Sequence, residues 1–427
     1  MMTFPQYETY KSRFQIGLVI FFTGLTFTFG YLTHEVSDTP PNYGQSLIVE
    51  VIATVAIAMW VKIKLNFNFK YSGILYTLIA WLFVIQFFRE DMSSSTKNFF
   101  NILFTQILVI VISNIFWRIP FDRLVNAFLV YLHLCLLLSV YVHMKNVGPL
   151  ELGNHSEDVR FGGLFFFGIT GILAGVGAIL SSFQFFKAET KKLRIRYIFS
   201  TGVFCFYTLA CDMRTVMAGI VAAVFVQYLF KRKSENKSII PIIILAGVAY
   251  FGLQLYKSYS EGSDVERDLE TREIIWGVGK KMVADQPIVG YGTYAASMSR
   301  VSLSDTRYSD MFVDLKLPDP HSSYLSIMIQ SGVVSFGIFL FLLFKIVQLS
   351  KRYSPINRML LSILAYWLVC GSTGGNYFDF NYSIQGVAFE LMIFGIMLHP
   401  ELWDHPEQLI DKPKRVSYEN AFARPAV

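Results

Sequence analysis

The stretch Pro318-Asp-Pro-His-Ser-Ser-Tyr-Leu-Ser-Ile-Met-Ile-Gln-Ser-Gly-Val-Val-Ser-Phe-Gly-Ile-Phe-Leu-Phe-Leu-Leu-Phe344 changes character at one point. Its first residues are polar, stiffened by two prolines, and reach a histidine. From Ser323 to Phe344 the chain is apolar. At about 1.5 Å of rise per residue, a helix of roughly 20 such residues crosses the ~30 Å hydrocarbon core of a bilayer. Upstream, Lys257 to His321 is the only long water-compatible passage in the sequence.

Working outward from that junction, similar apolar runs recur along the whole chain. Twelve are expected, at approximately 14–32, 45–61, 71–88, 99–117, 124–142, 164–183, 196–212, 215–230, 239–256, 323–344, 358–373 and 384–399. Composition agrees. Of 427 residues 53% are hydrophobic and only 16% charged, against about 25% in a soluble domain. Mean hydropathy is +0.45. Length alone would allow about three soluble domains, but the runs override that prior. Alternating patterning for a barrel is missing, so the expected fold is an all-α polytopic membrane protein of about 12 transmembrane helices. No repeat of fixed period is evident. No cleavable signal peptide is expected, because 14–32 is long enough to span and lacks a small-residue cleavage site.

Lysine and arginine set the orientation, because cytoplasmic loops carry their excess. They cluster as Lys62, Lys64 and Lys70; Arg118 and Arg123; Lys187, Lys191, Lys192, Arg194 and Arg196; Lys231, Arg232, Lys233 and Lys237; and Lys345, Lys351, Arg352 and Arg358. With twelve spans these loops share one side with Lys11 and Arg13. The chain therefore reads N-in and C-in, with the long polar loop outside. The expected divisions are 1–256 (helices 1–9), 257–322 (a periplasmic, partly helical loop), 323–399 (helices 10–12) and 400–427 (a cytoplasmic tail). Within the loop, Asp264 to Ala284 reads as a helix that Pro287 ends, followed by a turn at Gly290-Tyr-Gly292. The net charge of +6 follows this loop bias and requires no nucleic acid. The four cysteines lie in or beside apolar segments without CxxC spacing, so no disulfide framework or metal site is expected.

A few polar residues stand out on the outer side. Arg214 lies in the short turn Cys211-Asp-Met-Arg-Thr215, where a loop arginine reaching for lipid head groups is the plain alternative. Arg272 lies in the loop helix, where it could simply pair with Asp268 one turn away. His321 follows Pro318-Asp-Pro, which fixes the local backbone. Imidazole can take a proton from a hydroxyl near neutral pH, so His321 is a candidate general base or an ordinary interfacial histidine. Asp319 could orient its ring or only shape the loop, and Asp212 adjoins Arg214. Glu50 and Glu390 lie a short way into spans two and twelve. Carboxylates at that depth border a cavity or pair with a partner, and Arg214 is a candidate for both. The acidic run Asp264 to Glu270 is expected to be a solvated helix start, since alternate acids on a helix face apart.

Two arginines and a histidine at a lipid surface suit one kind of reaction. A lipid diphosphate leaving group gains negative charge as its sugar bond breaks. Guanidinium groups can bind it bidentately in place of a metal, while a base activates the acceptor hydroxyl. The sequence resembles the O-antigen ligase and polymerase superfamily of bacterial envelopes over about 196–345. The resemblance rests on Asp212-Met-Arg214-Thr, Thr271-Arg272-Glu-Ile-Ile-Trp276, Pro287-Ile-Val-Gly290-Tyr-Gly292, Pro320-His321-Ser-Ser-Tyr324 and Gly332-Val-Val-Ser-Phe-Gly337. The family often has Gln-Thr-Arg or Ser-Arg in place of Asp-Met-Arg, and His-Asn in place of His321-Ser322.

The resemblance implies a GT-C-like glycosyltransferase in the bacterial inner membrane, with no cofactor or metal and a periplasmic active site. Its donor would be a glycan on undecaprenyl diphosphate and its acceptor a sugar hydroxyl of lipid A–core. Arg214 and Arg272 would hold the diphosphate, and His321 would activate the acceptor. An O-antigen polymerase and a protein O-oligosaccharyltransferase share this chemistry. A transporter of lipid-linked sugars is the alternative from another class, for which broken helices and midplane charges are expected.

Overall fold

A computed structural model describes residues 43–60, 65–88, 92–116, 121–148, 161, 167–211, 213–231, 264–291, 320–350, 355–373, 390–391 and 397. The expected spans at 14–32 and 239–256, most of 384–399, and the tail 400–427 lie outside these residues. All regular structure among the described residues is helical. The helices are α1 (Tyr43–Trp60), α2 (Phe69–Val84, continued by a 3-10 turn Ile85–Phe88), α3 (Met92–Phe116), α4 (Phe121–Asn146) and α5 (Phe167–Lys187). Then follow α6 (Lys191–Ala210), α7 (Arg214–Lys231), α8 (Asp264–Asp285), α9 (Ser323–Ser350) and α10 (Pro355–Thr373). Each described helix except α8 overlaps an expected span. Phe69–Phe88, Leu124–Lys145, Ile169–Lys187 and Ser323–Leu349 are long and apolar enough to cross a membrane, and three shorter apolar helices join them.

The surface explains what solvent these helices expect. On α4, Val130, Leu134, Leu137, Tyr141 and Met144 are exposed, while Val125, Leu129, Leu132, Leu136, Ser139 and His143 are buried. Both sets recur every three or four residues, so one helix carries an apolar face inward and another outward. Phe69, Phe87 and Phe199 are 70–73% exposed. A soluble protein does not show such a surface, whereas lipid tails cover it without cost.

Because lipid is as apolar as leucine, close packing and hydrogen bonds hold the bundle together instead. Glycines on α5 supply the close packing. A Cβ at Gly177 would lie 2.5 Å from the Phe204 ring of α6, and one at Gly171 would meet the Met213 sulfur at 2.5 Å. At Gly175 it would collide with the Tyr366 hydroxyl of α10 and lie 2.8 Å from Val216 of α7. That hydroxyl donates to the Ile172 carbonyl at 3.0 Å. Deeper in the bundle, Gln227 of α7 accepts from Ser182 of α5 (2.9 Å) and donates to the Ile179 carbonyl and to Ser362 of α10 (both 3.1 Å). His133 of α4 contacts Ser200 of α6 at 3.2 Å, and Ser200 contacts Ser181 of α5 at 2.9 Å.

These ties also give the bundle two distinct ends. At one, Lys187 at the end of α5 pairs with Asp122 at the start of α4 at 2.6 Å. Tyr197 bonds Asn126 there, and Arg194 donates to the Ala188 carbonyl. At the other end, the start of α5 meets Met213 and the last turns of α10. The basic residues of 187–196 therefore lie opposite the turn that carries Arg214.

Gly175→Val is expected to lower the unfolding temperature in detergent by several degrees, because overpacking of this kind costs about 1–3 kcal/mol. Gly73→Ala, where a Cβ meets nothing within 4 Å, is expected to be neutral or to stabilise α2 by up to about 1 kcal/mol. Thermal unfolding of the two purified variants checks both.

Candidate active site

His321 is built by its backbone. Its φ is +45°, in the left-handed region that only His321 and Asn68 enter among the described non-glycine residues. Such a conformation costs of order 1–3 kcal/mol and persists only where neighbours hold it. The neighbours are visible. Pro320 is buried and its carbonyl accepts the indole N–H of Trp276 at 3.1 Å. Directly after His321, Ser322 caps α9: its hydroxyl accepts the Leu325 N–H at 3.5 Å and its carbonyl accepts Ser326 N–H at 2.8 Å. One turn on, Tyr324 donates to the Leu368 carbonyl of α10 at 2.7 Å.

Helix α8 rests on this segment through a small apolar core of its own. Ile275, Val278 and Met282 pack against Leu325 and Ile329 of α9, and Gly279 leaves room for the Leu325 side chain. The expected helix of the polar loop is thus present, while the turn expected at 290–292 lies partly outside the described residues. The helix ends at Asp285. Beyond it, Gln286–Tyr291 forms a strap that enters α9 itself. Gly332 has φ +77° and ψ 171°, which breaks the helix. In a continuous helix the Val333 N–H would donate to the Ile329 carbonyl. Here Val333 N–H donates to the Pro287 carbonyl and Tyr291 N–H donates to the Ile329 carbonyl, both at 2.7 Å. The Ser331 carbonyl is also taken up, by the Ser335 hydroxyl at 2.7 Å and the Trp81 indole of α2 at 3.5 Å. A Cβ at Gly332 would collide with the Ile288 carbonyl, and one at Gly290 would lie 2.6 Å from the Ile329 carbonyl oxygen.

Arg214 is the first residue of α7 and is exposed. The turn before it is held down by Phe161, which is buried, stacks on Tyr207 and accepts the Cys211 thiol at 3.1 Å. Five residues into α7, a Cβ at Gly219 would meet Tyr366 and Cys370 of α10. The same stretch of α10 accepts Tyr324. The first turns of α7 and α9 are therefore both anchored on residues 366–370 at one end of the bundle. Arg272 stands in α8 one turn before Trp276, in the same i, i+4 row.

Of the other candidates, Glu390 has a described side chain and the rest, in whole or in their side chains, lie outside the described residues. Asp212 and Asp319 lie outside them, as do the side chains of Arg272 and Glu50. Glu390 is fully buried and accepts the Gln106 amide of α3 at 2.7 Å. The residue after it, Leu391, packs against Val51, Leu108 and Ile112 as well as the main core. Among the described residues no group of three or more His, Cys, Asp and Glu comes together to hold a metal. In the sequence Trp276 reads as part of an imperfect apolar face of the loop helix, and Gly332 as one residue of an apolar span. An isolated glycine within an apolar run, facing a Pro-x-x-Gly turn upstream, was the available signal.

Residues 167–342 match the family model for O-antigen ligase. The match covers less than half of the chain and supports a relation to the O-antigen ligase and polymerase superfamily. It runs from the start of α5 into α9 and so contains Arg214, Arg272, the strap, His321 and Gly332. No curated protein matches the chain. Together with the apolar helices, the match supports a multi-pass membrane protein with an O-antigen ligase or polymerase type of function. The superfamily's frequent asparagine after the histidine now has a physical counterpart here. Position 322 is a helix N-cap, and serine and asparagine cap about equally well.

Gly332→Ala is expected to expel the strap from α9. Hydrogen exchange at the Tyr291 and Val333 amides should accelerate about ten-fold or more, because each loses its acceptor when the strap leaves. Exchange measured by mass spectrometry on the purified protein, with the Gln227 region as internal reference, checks this.

Proposed function

We propose that the protein is an inverting, metal-independent glycosyltransferase of the GT-C type that moves O-antigen glycan from undecaprenyl diphosphate to a sugar hydroxyl of lipid A–core. The observation that carries this reading is the anchoring of the Arg214 and His321 turns on one stretch of α10, at the end away from Lys187 and Arg194. His321 takes the proton of the acceptor hydroxyl. The acceptor oxygen then attacks the anomeric carbon from the face opposite the diphosphate, the bond to the diphosphate oxygen breaks, and the configuration inverts. Arg214 and Arg272 take up the charge that develops on the leaving group. Guanidinium forks suit that task because they present fixed paired donors to phosphate oxygens. Asp319 would orient His321, Asp212 would support Arg214, and Glu50 and Glu390 would border the cavity from the spans.

In this reading about twelve helices cross the bacterial inner membrane with both termini cytoplasmic, and 257–322 is the periplasmic catalytic loop between 1–256 and 323–399. The tail 400–427 is cytoplasmic. The single dominant outer loop and the chain length favour a ligase over an O-antigen polymerase or a protein O-oligosaccharyltransferase. A broken helix such as α9 is a feature expected of a transporter. Here the strap, Ser335 and Trp81 occupy backbone groups at the break, which favours transfer over transport.

His321→Ala and Arg214→Ala are each expected to leave the protein in the membrane at normal amounts and to reduce transfer at least a hundred-fold, in keeping with loss of a general base or a charge-stabilising donor. Normal activity in both variants overturns the site. Deletion followed by glycolipid analysis separates the related activities. Core-only lipopolysaccharide with polymer remaining on its lipid carrier supports the ligase. Core bearing at most one repeat unit supports the polymerase, and absence of donor from the outer leaflet supports transport.

A further inference from the structure

We infer that Trp276 is a positioning residue for His321, acting through the hydrogen bond from its indole nitrogen to the Pro320 carbonyl. The inference rests on the catalytic role proposed for His321 and adds the means by which the protein holds it in place.

Three observations meet at this point. His321 occupies a left-handed backbone conformation at φ +45° that a non-glycine residue does not hold without restraint. The carbonyl of the preceding peptide is fixed by Trp276 at 3.1 Å, so the orientation of the peptide plane entering His321 is set from α8. Helix α8 is itself fastened to α9 beyond that bond. Its apolar face packs on Leu325 and Ile329, and its strap exchanges two backbone hydrogen bonds with α9 at Ile329 and Val333. Among the described bonds of α8, the indole bond is the one that reaches the residue next to His321. The packing and the strap hold α8 in place, and the indole converts that placement into a direction for the His321 peptide.

The arrangement also links the two proposed roles. Arg272 precedes Trp276 by one turn of α8, so a helix fixed through Trp276 holds Arg272 at a set distance from His321. A displacement of about 1 Å at a reacting group can cost a hundred-fold in rate. A donor-binding arginine and an acceptor-activating histidine on one clamped unit avoid that loss. The described indole bond is to Pro320, and the effect on His321 passes through that carbonyl.

The test uses full-length protein in nanodiscs, with undecaprenyl-diphosphate-linked glycan extracted from native membranes as donor, lipid A–core as acceptor and release of undecaprenyl diphosphate as readout. Two variants remove the indole donor: Trp276→Phe, and replacement of Trp276 by benzothienylalanine, which keeps the shape of the ring and its packing. The expected result for both is a kcat about ten-fold lower with the donor KM changed less than two-fold. Adding Trp276→Phe to His321→Ala should lower the residual rate no further, because residues acting as a unit are not additive. Wild-type kcat in the benzothienylalanine protein overturns the inference. So does a further ten-fold loss in the double variant, which would mark a role independent of His321. Full transfer by His321→Ala alone overturns the catalytic site itself, and is thereby distinguished from failure of the positioning role.

Discussion

An amide hydrogen inside a membrane must find its acceptor within the protein, since hydrocarbon offers none and each orphaned group costs several kcal/mol. Gly332 breaks α9 within a candidate span, and the whole outer arrangement follows from how that break is closed. The rung from Val333 to Ile329 is replaced by two bonds to the strap Pro287–Tyr291. Backbone groups that would have been a liability become a socket. The strap can sit so deep only because Gly332 and Gly290 carry no side chain at the contact.

From this socket the polar loop gains a defined position. Helix α8 buries a small apolar set, Ile275, Val278 and Met282, against α9. With the strap seated, that small core and the Trp276 bond place α8 beside His321. On the other flank, Tyr324 and Gly219 bring the first turns of α9 and α7 to the same stretch of α10. The interior glycines of α5 and the Gln227 network keep the supporting helices at short separations, so the ends that carry Arg214 and His321 rest on a bundle with little freedom to shift.

Much of this was legible in the sequence. The apolar runs matched helices wherever the described residues cover them, because length and hydrophobicity alone decide whether a segment can sit in lipid. The loop helix and its end near Pro287 were readable from acidic residues in the first turn and from proline chemistry. The superfamily match also followed from the order of its motifs around one loop. Less was legible about how polar groups pair. Glu390 reads in the sequence as a border of the outer cavity, and its described hydrogen bond is to Gln106 of α3, far away in the chain.

The sequence by itself determined that this chain is a bundle of apolar helices with one polar passage, and which residue types could bind a diphosphate or accept a proton. Those properties are local, set by side-chain hydrophobicity, charge and the period of the helix. Only the tertiary structure decided that α9 is broken, that a strap from residues 286–291 closes the break, and that Trp276 reaches the peptide before His321. Hydrogen bonds between segments some 40 residues apart, such as Trp276 to Pro320, depend on where folding places each backbone group. No local pattern encodes that placement.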